Sequence, residues 1–329
     1  MLDRNCTICG NRENNRIYRV KERMLNRGEQ FNYLLCSRCG TLQLVDSIDN
    51  MGQYYRNNYY AYKRKADERD RGIFRKRLKA WAYLNFVSPE KADNSFFWSD
   101  AQCLYPIKGM RLRKNSKILD VGCGSGAWLE RLNELGYSRL YGIDKFAPDF
   151  TSKKFHFIQG DIYSAENVGG YDLITLHHSF EHMENPLEIL GKIKNLLAVE
   201  GRAIIRIPVM GKAAWKQYGT DWYQIDAPRH LYIYSEKAIK YMCKKAGLEI
   251  YRVVYDSEGS QFYLSEGYMR TDKSCSELED GYQLGRRRAY NEKAKALNKK
   301  RQGDQAIFYI RRKKEVFSDD HISEKADRK

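Results

Sequence analysis

Three groups of residues in this chain have the types and spacing that do chemistry. The run HHSFEHMENP puts His177, His178, Ser179, Glu181 and His182 within six positions. A second run, WYQIDAPRHLYIYS, gathers Trp222, Tyr223, Asp226, Arg229 and His230. Imidazole, with an unperturbed pKa near ~6.5, is a natural general base at neutral pH. Arg229 has the fork to grip a phosphate or carboxylate, and Asp226 can orient an imidazole. The third group is thiols: Cys6 and Cys9 in CTIC, Cys36 and Cys39 in CSRC, each pair followed directly by a glycine, Gly10 or Gly40. Two such knuckles make a closed set of four thiolates, the donor set of a structural zinc. Redox chemistry is the competing use of CxxC, but neither pair opens a helix after a strand, where a lowered thiol pKa is expected.

The elements that must position these groups radiate from KILDVGCGSG, residues 117 to 126, an apolar strand running into a glycine turn and then into the helical stretch AWLERLNEL. Gly122, Gly124 and Gly126 let the backbone double back against a ligand, and Asp120 sits at the strand's C-terminal end. A second strand, LYGID, ends in Asp144, followed by Lys145; 144 minus 120 is 24, near the ~20-residue offset at which a carboxylate meets ribose hydroxyls. A third strand ends at Asp161, next to Ile162, and a fourth, YDLITLHHS, delivers the first histidine cluster. Successive strands therefore bring polar ends to one sheet edge, where ligands of open α/β sheets bind.

ILDVGCGSG, YGID, GD, YDLITLHHSFEHMENP and GRAIIRIP, taken in that order, resemble the successive motifs of class I S-adenosylmethionine-dependent methyltransferases. The dehydrogenase fingerprint GxGxxG differs, because here the third glycine falls one residue early. The resemblance implies a Rossmann-like, doubly wound α/β sheet with an antiparallel last strand. It implies S-adenosyl-L-methionine as cofactor, held by Asp120, Gly122, Gly124, Gly126, Asp144, Lys145, Asp161, Ile162 and His178. Methyl transfer from a sulfonium is an in-line displacement, so His230, then His182 and His178, are the candidate bases toward an acceptor hydroxyl. Glu181 and His182 have an alternative as the start of the next helix, and Asp226 with Arg229 as a loop brace.

The whole resembles bacterial methyltransferases that act on sugars of surface polysaccharides or on similar small metabolites, some with an N-terminal four-cysteine segment. The expected acceptor is a small, sugar-linked or anionic molecule, contacted by Trp222, Tyr223, Asp226, Arg229 and Tyr59. Sugar C-methylation is the alternative within that comparison. Methylation of RNA or DNA ranks lower, since neither an NPPY tetrapeptide nor a cysteine-centred RNA motif is present, and a non-catalytic scaffold ranks last.

At 329 residues, 42% hydrophobic, the chain can bury one α/β core and a satellite. The expected division is a zinc ribbon over 1–50 and a tyrosine-rich and helical connecting region over 51–116. A core follows over 117–314 with an insert at 209–234, then a mobile tail over 315–329. In the connecting region Tyr54, Tyr55, Tyr59, Tyr60 and Tyr62 either wall the acceptor site or pin the ribbon to the core, and 61–87 reads as a charged amphipathic helix. Near the other end, one helix is expected between the last two strands. Fifty-eight Lys and Arg against 42 Asp and Glu give a formal charge of +16, which suits anionic partners or weak attachment to an anionic membrane surface. No apolar stretch reaches 18 residues and no secretory layout opens the chain, so the expected location is the cytoplasm.

Overall fold

Lys117 to Val121 is buried at all five positions, and the alternation of its side chains decides the architecture. Ile118 packs with Leu129 and Leu132 on one side, while Leu119 packs with Ile189, Ile193 and Ile239 on the other. A strand that buries both faces belongs in the middle of a parallel sheet covered by helices. The computed structural model describes residues 5–55, 73–86, 104–147, 152–166, 169–280 and 284–313.

Three strands precede the core: β1 (Arg16–Lys21), β2 (Gln30–Leu35) and β3 (Leu42–Leu44). The core strands are β4 (Lys117–Val121), β5 (Arg139–Asp144), β6 (His156–Gln159), β7 (Tyr171–His177), β8 (Leu197–Pro208), β10 (Leu248–Tyr255) and β11 (Gln305–Arg312). They form one seven-stranded sheet in the order β10-β11-β8-β7-β4-β5-β6. The pairs β4/β5, β4/β7, β5/β6 and β7/β8 are parallel, while β11 runs antiparallel to both β8 and β10. This is the Rossmann-like sheet with an antiparallel last strand. The strand order reverses between β4 and β7, and that switch point opens a crevice at the C-terminal ends of the strands.

Helices α1 (Ile73–Phe86) and α2 (Ala127–Glu134) cover one face, through Ala80, Tyr83, Leu129 and Leu132. α3 (Pro186–Leu196) and α5 (Glu236–Lys245) cover the other, through Ile189, Ile193, Ile239 and Met242. Ser235 caps α5 as expected, its Oγ accepting from Ala238 N at 3.0 Å. Between β10 and β11 the single expected helix is instead three: α6 (Ser260–Arg270), α7 (Cys275–Asp280) and α8 (Leu284–Lys299). The first was missed because its apolar positions, Phe262, Leu264 and Tyr268, lie in a stretch that reads as a loop of mixed polarity.

The ribbon is less separate than the sequence implied. A two-residue strand from the insert, β9 (Tyr232–Ile233), pairs antiparallel with β3 and extends the ribbon sheet to four strands, β1-β2-β3-β9. Val20, Phe31, Tyr33 and Leu42 of the ribbon share a core with Ala214 of α4 (Ala213–Tyr218), Trp222 and Ile225 of the insert and Phe262 of α6. The ribbon and the insert thus bury one another's apolar faces. Tyr59, Tyr60, Tyr62 and the expected tail over 315–329 lie outside the described residues, as do the ends of the expected helix over 61–87. Among the described residues no helix is long and apolar enough to cross a membrane.

Candidate active site

After β4 the backbone turns sharply, and both Gly122 N and Cys123 N donate to Ile143 O of β5, at 2.7 and 3.0 Å. Gly122 has φ +77°, and a Cβ there would lie 2.4 Å from the Cβ of Ser179. Gly126, φ +76°, ends the turn, and its Cβ would lie 2.1 Å from Phe155 Cζ. Only glycine meets both the left-handed backbone and the close approach. The Asp144 carboxylate locks this turn from the next strand, accepting from Gly124 N at 2.8 Å and from Phe146 N and Ala147 N at 2.9 and 2.7 Å. Asp120, directly opposite Thr175 in the β4/β7 register, accepts from its hydroxyl at 2.8 Å. Burial pushes the Asp120 carboxyl up to about 7, against the lowering effect of that hydrogen bond.

A cavity of about 2180 Å³ opens over this turn. Asp120, Gly122, Gly124, Asp144, Lys145, Asp161, Ile162, His178 and His182 all line it, from the ends of four strands. Asp161 also caps the short turn Ile162–Ser164, accepting from Tyr163 N at 3.0 Å. Gly126 is packed beneath the turn instead of lining the cavity. The far wall carries Arg206, Arg252, Asp256 and Glu258, with Arg206 Nε on Asp256 Oδ2 at 2.6 Å. Ligand sites for one small molecule run to roughly 300–1,000 Å³, so this space exceeds a single occupant.

The histidines split between two environments. His177 is half-buried, its ring against Trp128 with centroids 5.0 Å apart at the edge of the large cavity, and desolvation pulls its pKa down to about 3. His178 remains partly exposed, 28% for the side chain, with Nδ1 3.4 Å from Glu181 Oε1. His182 Nδ1 lies 2.8 Å from Arg229 O and 3.0 Å from the Tyr55 hydroxyl, and burial lowers its pKa to about 4. His230, the leading base candidate from sequence, is only 5% exposed and faces a second cavity of about 240 Å³ with His178, His182, Tyr223 and Asp226. His178, Asn185 and Asp226 hold left-handed φ of 50°, 52° and 43°, a costly backbone for residues with side chains, and all border these cavities.

Two expected acceptor contacts need correction. Trp222 is 1% exposed and its indole N–H donates to Asp304 Oδ2 at 2.9 Å, so it packs in the core shared with the ribbon. Arg229 is 2% exposed, with Nε donating to Asp226 Oδ1 at 3.2 Å: the loop brace, not a clamp open to a ligand. Within the tyrosine cluster, the structure sets Tyr55 apart from its neighbour. Its ring stacks on Phe146 at 4.6 Å and lines the large cavity, whereas its neighbour Tyr54 is buried against Phe31 and pins the ribbon. Of the two described members of the cluster, Tyr55 lies on the cavity wall and Tyr54 in the ribbon's packing.

At the N-terminus the two knuckles are built alike, Gly10 N donating to Cys6 O at 2.8 Å and Gly40 N to Cys36 O at 2.9 Å. Cys6 and Cys39 sulfurs lie 3.6 Å apart, as do those of Cys9 and Cys36. Zn–S bonds of about 2.3 Å set tetrahedral sulfurs about 3.8 Å apart, so the donors fit that ion.

Residues 97–253 match the family model described as a methyltransferase domain. The ubiquinone biosynthesis O-methyltransferase of Vibrio parahaemolyticus serotype O3:K6 is 33% identical over 96 residues, 26% of this chain and 40% of that protein. The tRNA U34 carboxymethyltransferase of Idiomarina loihiensis is 26% identical over 107 residues, 29% of this chain and 33% of that protein. The chain thus spans well under two thirds of these relatives. The magnesium protoporphyrin IX methyltransferase of Synechocystis PCC 6803, solved with bound SAH, superposes with a TM-score of 0.40 at 13% identity, covering 71% of this chain and 94% of that one.

Proposed function

We propose, from the premise that residues 97–253 form a class I S-adenosylmethionine-dependent methyltransferase domain, that the protein moves a methyl group from S-adenosylmethionine to a hydroxyl of a sugar or similar small acceptor. The observation that carries this reading is the convergence of Gly122, Gly124, Asp144, Asp161 and His178 on one cavity at the sheet's switch point. When bound there, the cofactor supplies an electrophilic methyl carbon and a thioether leaving group.

The chain's own residues supply the rest. The glycine turn gives bare backbone against which the cofactor can lie, and Asp144, already held by three N–H donors, keeps one acceptor site on Oδ2 for a ribose hydroxyl. Asp161 and Ile162 border the position expected for adenine. His178 is the best-placed base, because it borders both cavities and its Nδ1 faces the Glu181 carboxylate, which favours a proton on Nδ1 and leaves Nε2 to accept one. Alignment of donor and acceptor accounts for most of the acceleration such a transfer requires. A hydroxyl acceptor agrees with relatives named as O-methyltransferases, and the size of the cavity supports a second ligand beside the cofactor.

Cys6, Cys9, Cys36 and Cys39 hold a structural zinc in this reading, supported by their sulfur spacing.

Isothermal titration with S-adenosylmethionine tests the first half, and binding at micromolar levels is the expected result. Transfer of radiolabelled methyl to a panel of free sugars, nucleotide-linked sugars, phenols and transfer RNA tests the second. Label in RNA alone would replace the small-molecule acceptor, and absence of cofactor heat would end the methyltransferase reading.

A further inference from the structure

Glu181 is completely buried, and among the described residues neither carboxylate oxygen accepts a well-formed hydrogen bond, the nearest approach being His178 Nδ1 at 3.4 Å from Oε1. An ionised carboxylate in that state is expensive unless a cation lies beside it. Arg229, the nearby guanidinium, is turned onto Asp226. What does surround Glu181 is imidazole, and the hydrogen bonds fix which nitrogens are available.

His182 Nδ1 lies 2.8 Å from Arg229 O, and His230 Nδ1 lies 2.8 Å from Gln224 O. A carbonyl oxygen only accepts, which favours the Nδ1–H tautomer in both neutral rings, with the Tyr55 hydroxyl 3.0 Å from His182 Nδ1 as a second neighbour of that nitrogen, and leaves the Nε2 lone pair open. Backbone carbonyls that hold Nδ1–H in this way are the usual outer support of metal-ligating histidines. His230 Nε2 lies 3.9 Å from Glu181 Oε1 and 3.8 Å from Asp226 Oδ2, too far for a hydrogen bond to either carboxylate. One donor atom each from Glu181, His182 and His230 falls within 4.8 Å of the others. Lone pairs and negative oxygens thus converge on a point between Glu181, His182, His230 and Asp226, while His178 Nδ1, 3.4 Å from Glu181 Oε1, supports the carboxylate from the side.

We propose that Glu181, His182 and His230 bind a divalent transition-metal cation, with Asp226 as a further oxygen donor, where the two cavities meet. Two imidazoles and a carboxylate suit zinc, iron(II), cobalt(II) or manganese(II) better than calcium or magnesium. Bonds of about 2.0–2.1 Å place donors about 3.4 Å apart, so the side chains must draw in by roughly 1 Å. His182 and His178 line both cavities, so the coordination positions that protein groups leave open face the acceptor space. An oxygen ligand such as a vicinal diol or a catechol is the chemistry that would take them.

The test uses the full chain with its four-thiolate site already filled with zinc. Cobalt(II) is titrated in, and binding is read by equilibrium dialysis and visible absorption. The expected result is one further cobalt per chain, without the near-ultraviolet thiolate-to-cobalt band that a cysteine site would give. Glu181→Gln and His230→Gln should each weaken that binding by about ten- to a hundredfold. No second equivalent, a second equivalent carrying the thiolate band, or undiminished affinity in both folded variants would overturn the proposal. Should a variant fail to fold, the wild-type stoichiometry and spectrum decide alone. Cofactor calorimetry with and without cobalt keeps this result separate from the methyltransferase reading.

Discussion

Replacing Gly122 by alanine perturbs the turn at its tightest point, and the structure says how much. At φ +77° an alanine pays about 1–2 kcal/mol for left-handed backbone, offset by about 0.4–1 kcal/mol from a stiffer unfolded chain. Its Cβ would lie 2.4 Å from Ser179 Cβ, and Ser179 is pinned by its own bond to Val121 O at 2.7 Å, so it cannot yield freely. Overpacking of that kind costs about 1–3 kcal/mol. The expected loss of stability is about 3 kcal/mol, with cofactor affinity falling about tenfold or more as the turn shifts. Gly122→Ala combined with Ser179→Gly removes the colliding atom. The double-mutant cycle should therefore show a favourable coupling of about 2 kcal/mol, against the loss of one hydrogen bond that Ser179→Gly causes by itself. Urea unfolding measures the stabilities and calorimetry with S-adenosylmethionine measures the binding. A coupling indistinguishable from zero, or unchanged cofactor affinity in Gly122→Ala, would refute the claim that this approach shapes the site.

Three further outcomes follow from other parts of the molecule. Asp120, with its carboxyl raised to about 7, keeps its proton in the folded state where the unfolded chain has lost it, so stability should fall as pH rises from about 4 to 7. Asp120→Asn should flatten that decline, which amounts to about 4 kcal/mol at most, and equal urea profiles at pH 5 and pH 8 for both proteins would contradict it. Trp222→Phe should cost about 1–3 kcal/mol by stripping a donor from buried Asp304, while the acceptor KM stays as it was; a raised KM would return Trp222 to the acceptor site. Stripping zinc with a strong chelator should speed hydrogen exchange at Tyr232 and Ile233 as well as in the ribbon, because β9 depends on β3 for its partner; protection retained in β9 would show the insert standing without the ribbon.

Much of this protein is determined by local sequence. Asp120, the glycines that follow it and Asp144 were legible because a strand that must turn at once into a helix over a ligand has few solutions, and those solutions sit in consecutive residues. The same holds for the cysteine pairs, where each knuckle is closed by a hydrogen bond from a residue only four positions on. Ser235 as a helix cap is local in the same sense.

Tertiary structure alone decided the rest. Nothing in the sequence separates His178, which reaches the large cavity, from His230, which the insert folds inward, since both are histidines in polar runs near a strand end. Trp222 and Arg229 look like ligand contacts until Asp304, 82 residues from Trp222, and the left-handed loop at Asp226 take up their polar atoms. That the ribbon borrows its fourth strand from residues 232–233 follows from the mutual burial of two small apolar faces, neither of which can cover itself. Burial and hydrogen-bond satisfaction are sums over distant segments, so a single stretch of chain cannot reveal which polar group will be left facing a cavity.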